Sequence, residues 1–72
     1  MQVKSIKELV EKIKERRKEL GISQVELAQL CNLSENGISK LESNAGEREV
    51  KLSTLFKLSE VLGFKLSLEF EQ

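Results

Sequence analysis

The chain has 72 residues, with 12 basic and 12 acidic side chains that cancel to a formal net charge of +0, one cysteine and no histidine. A chain this short is expected to be one domain, residues 1–72, burying only ~60% of the surface its unfolded form exposes. A lone Cys31 without histidine offers no internal disulfide, histidine metal site or histidine base, so an enzyme and a cofactor or metal protein are disfavoured. The start, MQVKSIKELV, is too polar for a signal peptide and no apolar run approaches the ~20 residues of a membrane span, which with the cysteine usage fits a cytoplasmic setting.

Within residues 1–20, Ser5 followed by Glu8 is a capping box, and Ile6, Leu9, Val10, Ile13 and Leu20 recur at helical period. A first helix from about Ile6 to Leu20 is predicted, with Gly21 closing it. Its last turns carry Lys12, Lys14, Arg16, Arg17 and Lys18, whereas Glu47, Glu49, Glu60, Glu69 and Glu71 fall mainly in the last third of the chain. That separation suits a basic face steering toward a polyanion; the alternative is a solvated helix laced with pairs such as Glu8 and Lys12.

Residues 24–42, QVELAQLCNLSENGISKLE, form two short helical patterns joined by a tight turn, with the spacing of a DNA-reading helix-turn-helix. Ser23 with Glu26 is a second capping box. Leu27, Ala28 and Cys31 share one face, which Leu33, Ile38 and Leu41 of the next helix close over; Ala28 marks the close approach. Cys31 thus reads as a small buried hydrophobe rather than a reactive thiol. Asn32 tolerates the left-handed conformation that ends a helix within one residue, and Ser34 caps the helix that follows, to about Ser43. Asn36–Gly37 is also a hairpin signal, but Ile38 and Leu41 at helical spacing favour a helix. SNAGERE, residues 43–49, is a polar loop.

Leu52, Leu55, Phe56 and Leu62 are expected to form the apolar stripe of a fourth helix over residues 52–62, ended by Gly63. From 64 to 70 the pattern alternates strictly, with Phe64, Leu66, Leu68 and Phe70 on one face, the signature of a β-strand. Lone strands leave backbone groups unpaired, so the same strand of a second copy is the expected partner, a homodimer burying those four side chains. The other possibilities are pairing with residues 2–4 of the same chain, or a flexible tail.

Gln24, Leu27–Ala28, Leu33–Ser34, Ile38–Ser39 and Leu41–Glu42 together resemble the lambda-repressor-like (XRE) helix-turn-helix family. RRKELGISQ, residues 16–24, resembles that family's entry into the motif, and LSTLFKLSEVLGFKLSLEF resembles the C-terminal helix and strand of HipB-type antitoxins. The resemblance implies a mainly α fold of four to five helices with a C-terminal β-strand pairing across a dimer. It implies a transcriptional repressor binding double-stranded DNA at an inverted-repeat operator, often encoded with a toxin, here a HipA-like kinase, that it binds and represses along with its own promoter. Arg17 and Glu42 occupy the positions of an Arg and a Glu that join the first helix to the end of the third, a structural ion pair that removes Arg17 from the DNA-contacting set.

In such domains the start of the third helix enters the major groove. Glu35, Asn36, Gly37, Ser39 and Lys40 hold those base-contacting positions here. Asn36 has the geometry for adenine, Lys40 for guanine and Glu35 for the cytosine amino group, each with an ordinary solvent-facing role as the alternative. Gly37 costs a helix ~1 kcal/mol relative to alanine, and its missing side chain fits a close approach to base or sugar, or a weakened site. Ser23, Gln24, Ser34, Ser43, Asn44 and Lys51 are the candidate phosphate contacts, the first two at a helix start whose free N–H groups suit an anion.

The expected function is a sequence-specific repressor of the antitoxin type. The competing readings are a protein-interaction module, toxin-neutralising or scaffolding, whose DNA reading is weakened by Glu35, Gly37 and zero net charge, and a small helical domain without ligand.

Overall fold

The computed structural model describes residues 3–43 and 50–71, and within them four helices follow one another: α1 (Ile6–Glu19), α2 (Gln24–Leu30), α3 (Glu35–Ser43) and α4 (Leu52–Leu62). The polar loop 43–49 lies, apart from Ser43, outside the described residues, as does Asn44.

Each helix boundary follows from local chemistry. Ser5 caps α1 by accepting from the Glu8 N–H at 3.1 Å, while the Glu8 carboxylate takes the N–H of Lys4 rather than that of Ser5, a box displaced by one residue. Gly21, at φ 71°, ends α1, with its own N–H on Lys18 O and that of Ile22 on Arg17 O. The same paired closure ends α2: Asn32, at φ 55°, donates to Gln29 O and Leu33 donates to Ala28 O at 2.8 Å. This Schellman geometry needs a residue that tolerates the left-handed region, and asparagine supplies it where the chain must turn toward α3. The box predicted for α2 is complete, with Glu26 N on Ser23 Oγ at 3.1 Å and Ser23 N on Glu26 Oε1 at 3.3 Å. Gly63, also left-handed, ends α4.

The core gathers Ile13 of α1, Leu27, Ala28 and Cys31 at α2, Ile38 of α3, and Leu55, Leu58 and Leu62 of α4. Leu27, Leu58 and Leu62 are wholly shielded, and Leu33 and Leu41 lean on the cluster half-buried, as the two crossed apolar faces require. Burial holds the Cys31 thiol above its ordinary pKa, consistent with a packed hydrophobe.

Three expectations are corrected. The buried stripe of α4 is Leu55, Leu58 and Leu62, whereas Leu52 and Phe56 are exposed. Leu20 and Ile6, placed on the apolar face of α1, are exposed as well, at the two ends of the helix where no other element among the described residues covers them. The acid that meets Lys12 is Glu15, at 3.5 Å, and not Glu8, whose carboxylate is engaged with the chain entering α1.

Residues 64–71 continue from α4 with no strand among the described residues. Phe64 is half-buried against the core, whereas Leu68 and Phe70 are 84% and 89% exposed. No helix among the described residues is long and apolar enough to cross a membrane.

Candidate nucleic-acid interface

Along α3, residues 36, 39, 40 and 43 fall at i, i+3, i+4 and i+7, so Asn36, Ser39, Lys40 and Ser43 share one stripe of the helix. Ile38 and Glu42 are the buried residues of that helix, so the stripe is free to face outward. Asn36, Lys40 and Ser43 are exposed and Ser39 is half-buried. Glu35, also exposed, lies in the first turn, where its charge complements the positive end of the helix dipole.

Ser34 caps α3 as expected, its Oγ accepting from Gly37 N at 3.0 Å. That bond gives Gly37 a local reason: a Cβ at this position would lie 3.0 Å from Ser34 Oγ. The missing side chain therefore leaves room for the cap, whatever else approaches the exposed surface. Ser34, Gly37, Lys40 and Lys51 line one shallow recess with Val10, Leu33, Ile38, Leu41, Val50 and Thr54. Lys51, at the N-cap of α4, is exposed and makes no side-chain cap bond, since an ammonium has no lone pair with which to accept the free N–H groups.

The third helix is held from behind. Arg17 Nε donates to Glu42 Oε2 at 2.7 Å and Nη2 to Oε1 at 2.9 Å, a bidentate pair with both side chains buried. Arg17 Nη1 donates to Ile22 O at 2.8 Å, and Gln24 Nε2 donates to Glu42 Oε1 at 3.0 Å. Burial by itself pushes the Glu42 carboxyl up, but the hydrogen bonds from Arg17 and Gln24, with the charges of Arg17 and Lys14, outweigh it and hold the group below its ordinary value. Removing Arg17 from the DNA-facing set therefore agrees with the geometry. Gln24, expected at phosphate, has its amide turned to Glu42, which the residue type alone does not announce.

The basic run of α1 is also largely committed within the molecule. Arg16 donates from Nε to Leu62 O at 2.9 Å and pairs with Glu19 at 3.4 Å, and Lys12 pairs with Glu15. Sequence reading missed the Arg16 bond because its acceptor is a main-chain carbonyl, which leaves no mark in the sequence.

The family model described as Helix-turn-helix matches residues 13–68, most of the chain and all of the motif. The chain belongs to the helix-turn-helix family. Among curated proteins no sequence matches it. Among solved structures it is similar to one titled HipB-O1-O2 complex, at 27% identity and a TM-score of 0.83 over 97% of this chain and 99% of that one. A structure titled HipA-HipB-O2-O3 complex gives 26% identity and a TM-score of 0.84 over 100% of this chain and 99% of that one, and one titled MDT Protein gives the same figures. The resemblance to XRE-type helix-turn-helix and HipB-type proteins is borne out by these matches. The helix-turn-helix protein is thus a DNA-binding regulator by family, and its fold is similar to that of the HipB complexes.

Proposed function

We propose that this helix-turn-helix protein is a dimeric, sequence-specific transcriptional repressor of the HipB type, an autoregulating antitoxin that works in the cytoplasm on an inverted-repeat operator and binds a HipA-like toxin kinase. The observation that carries the reading is the α3 stripe of Asn36, Ser39, Lys40 and Ser43, presented outward while Ile38 and the Arg17–Glu42 pair fasten the opposite side. The complex of a similar fold with HipA and O2-O3 supports both partners.

In this reading Asn36 pairs with adenine, Lys40 donates to guanine, and Glu35, Gly37 and Ser39 meet the neighbouring bases. Ser23, Gln24, Ser34, Ser43, Asn44 and Lys51 set the register on phosphates. The two capping serines remain competent for that task, because a hydroxyl that accepts a backbone N–H keeps its own O–H to donate. Gln24 contributes through its backbone N–H at the start of α2, its amide being held by Glu42. Residues 64–70, which form no strand within one copy, become a strand on pairing across the two-fold axis, covering Leu66, Leu68 and Phe70, the exposed apolar side chains of the C-terminal segment, along with Phe64.

The decisive experiment is selection of bound sequences from random duplex DNA by the purified protein. An inverted repeat bound at ~10⁻⁸ M or tighter, lost in Asn36→Ala with Lys40→Ala while the dimer persists, is the expected result. A second reading, a protein-interaction module, is favoured by the exposed carboxylate of Glu35 in the first turn of the reading helix, which repels phosphate, and by the formal net charge of +0. Affinity no better than the non-specific ~10⁻⁴ to 10⁻⁶ M, with stable capture of a kinase partner, selects that reading instead.

A further inference from the structure

Two consecutive arginines at the end of α1 fasten two different helices. Arg17 grips Glu42 near the C-terminus of α3, and Arg16 grips the C-terminus of α4. Leu62 O is one of the last four carbonyls of α4, groups that an α-helix leaves without a partner of its own, and the Arg16 Nε–H satisfies it at 2.9 Å. The guanidinium also donates from Nη1 to Glu19 at 3.4 Å, and its Nη2 comes close to the following turn: a Cβ on Gly63 would be 3.6 Å from it. That turn is where the chain leaves α4: Gly63 is left-handed, and Phe64 N–H closes back on Ser59 O at 3.1 Å. Arg16 also lines, with Leu9, Ile13, Phe64 and Leu66, the groove along which the C-terminal segment departs.

The reading helix and the departure point of residues 64–70 are thus both referenced to one turn of α1. We propose that Arg16 is a positioning residue that sets which half-site spacing the dimer accepts, by fixing where and in what direction the C-terminal segment leaves α4. The inference rests on the dimeric operator-binding reading above. Two rigidly mounted reading helices match one separation along DNA, since half-sites must recur at a fixed fraction of the helical turn. Freeing the exit of the segment lets the two subunits pivot and tolerate several separations.

Arg16→Lys separates this role from a phosphate contact. Lysine keeps the charge but loses Nε and the planar fork, so a phosphate contact survives the change and the helix-end bond does not. The test measures binding of wild type, Arg16→Lys and Arg16→Ala to the selected operator and to versions lengthened or shortened by one base pair between half-sites. Circular dichroism and solution mass confirm folded dimers. Wild type is expected to prefer its own spacing by ~10-fold or more, the size of one poorly matched base pair. In both variants this preference is expected to fall toward unity, with affinity for the original operator and the salt dependence of Arg16→Lys little changed. A wild-type preference that Arg16→Lys fully retains overturns the inference alone, as does uniform weakening at every spacing in Arg16→Ala. A wild type that is monomeric or has no spacing preference overturns the dimeric reading and this inference together.

Discussion

Arg17 and Glu42, 25 residues apart in the chain, meet through two parallel hydrogen bonds of 2.7 and 2.9 Å in the interior of the domain. The carboxylate accepts a third bond from Gln24, and the guanidinium gives its remaining edge to Ile22 O. This cluster ties the end of α1, the connection into α2, the start of α2 and the end of α3 at one point. No buried side-chain polar atom is left without a partner among the described residues, so the charge pair is fully satisfied.

Breaking the pair from either side strands a buried charge. Arg17→Ala and Glu42→Ala are each expected to cost ~3–5 kcal/mol, read from the shift of the urea midpoint. Arg17→Lys is expected to recover only a minor part, because an ammonium cannot reproduce the two-point fork. A loss below about 1 kcal/mol, the range of exposed pairs, would refute the structural weight given to the cluster.

The same cluster contributes to the acid limb of stability. The carboxyl of Glu42 is held below its ordinary value in the folded state, so the unfolded chain binds the proton more readily. Its contribution is complete above the ordinary glutamate value of ~4.3 and is lost as pH falls through the lowered folded value. Unfolding free energy measured from neutral pH downward is expected to fall steeply below that point in the wild type. Glu42→Gln, less stable at neutral pH, is expected to lack this component of the slope.

Gly37 and Ser34 are coupled. Alanine at 37 gains ~1 kcal/mol of helix propensity but brings its Cβ within 3.0 Å of the capping hydroxyl. Gly37→Ala is therefore expected to be near neutral in the wild type and stabilising by ~1 kcal/mol in a Ser34→Ala background, where the obstacle is gone. Equal effects in the two backgrounds, by thermal unfolding, would show that the cap does not explain the glycine.

Dimerisation is addressed by Leu66→Lys. A lysine on the apolar face of residues 64–70 is expected to give monomers by light scattering and weaker operator binding, since paired half-sites no longer share one body. An unchanged dimer mass would rule out pairing through this segment.

Local signals made much of the fold legible. The serine caps, the left-handed positions Gly21, Asn32 and Gly63, and the facing apolar triads of α2 and α3 each depend on residues close in sequence. In α4, Leu55 and Leu62 are buried as the spacing predicts, but Leu58 takes the place of Leu52 and Phe56, because both sets satisfy helical spacing. Only the packing of α1 and α2 against α4 decides between them. At the candidate site the outward stripe was legible from spacing. Gln24 was not, because an amide suits a phosphate as well as a carboxylate, and Arg16 was not, because its partner is backbone.

The cap of α3 also has a chemical consequence for the lifetime of the protein. Asparagine followed by glycine is the dipeptide most prone to cyclise, the glycine nitrogen attacking the side-chain amide carbon, releasing ammonia and leaving an imide that opens to aspartate or isoaspartate. At Asn36–Gly37 that nitrogen is engaged by Ser34 Oγ at 3.0 Å and its backbone is fixed in a helix, so the attack geometry is out of reach while α3 is folded. Each excursion of α3 into an open form instead exposes the proposed adenine-reading amide to conversion into a negative charge, which DNA repels. Protein that spends longer unfolded would thus age irreversibly toward molecules unable to hold their operator.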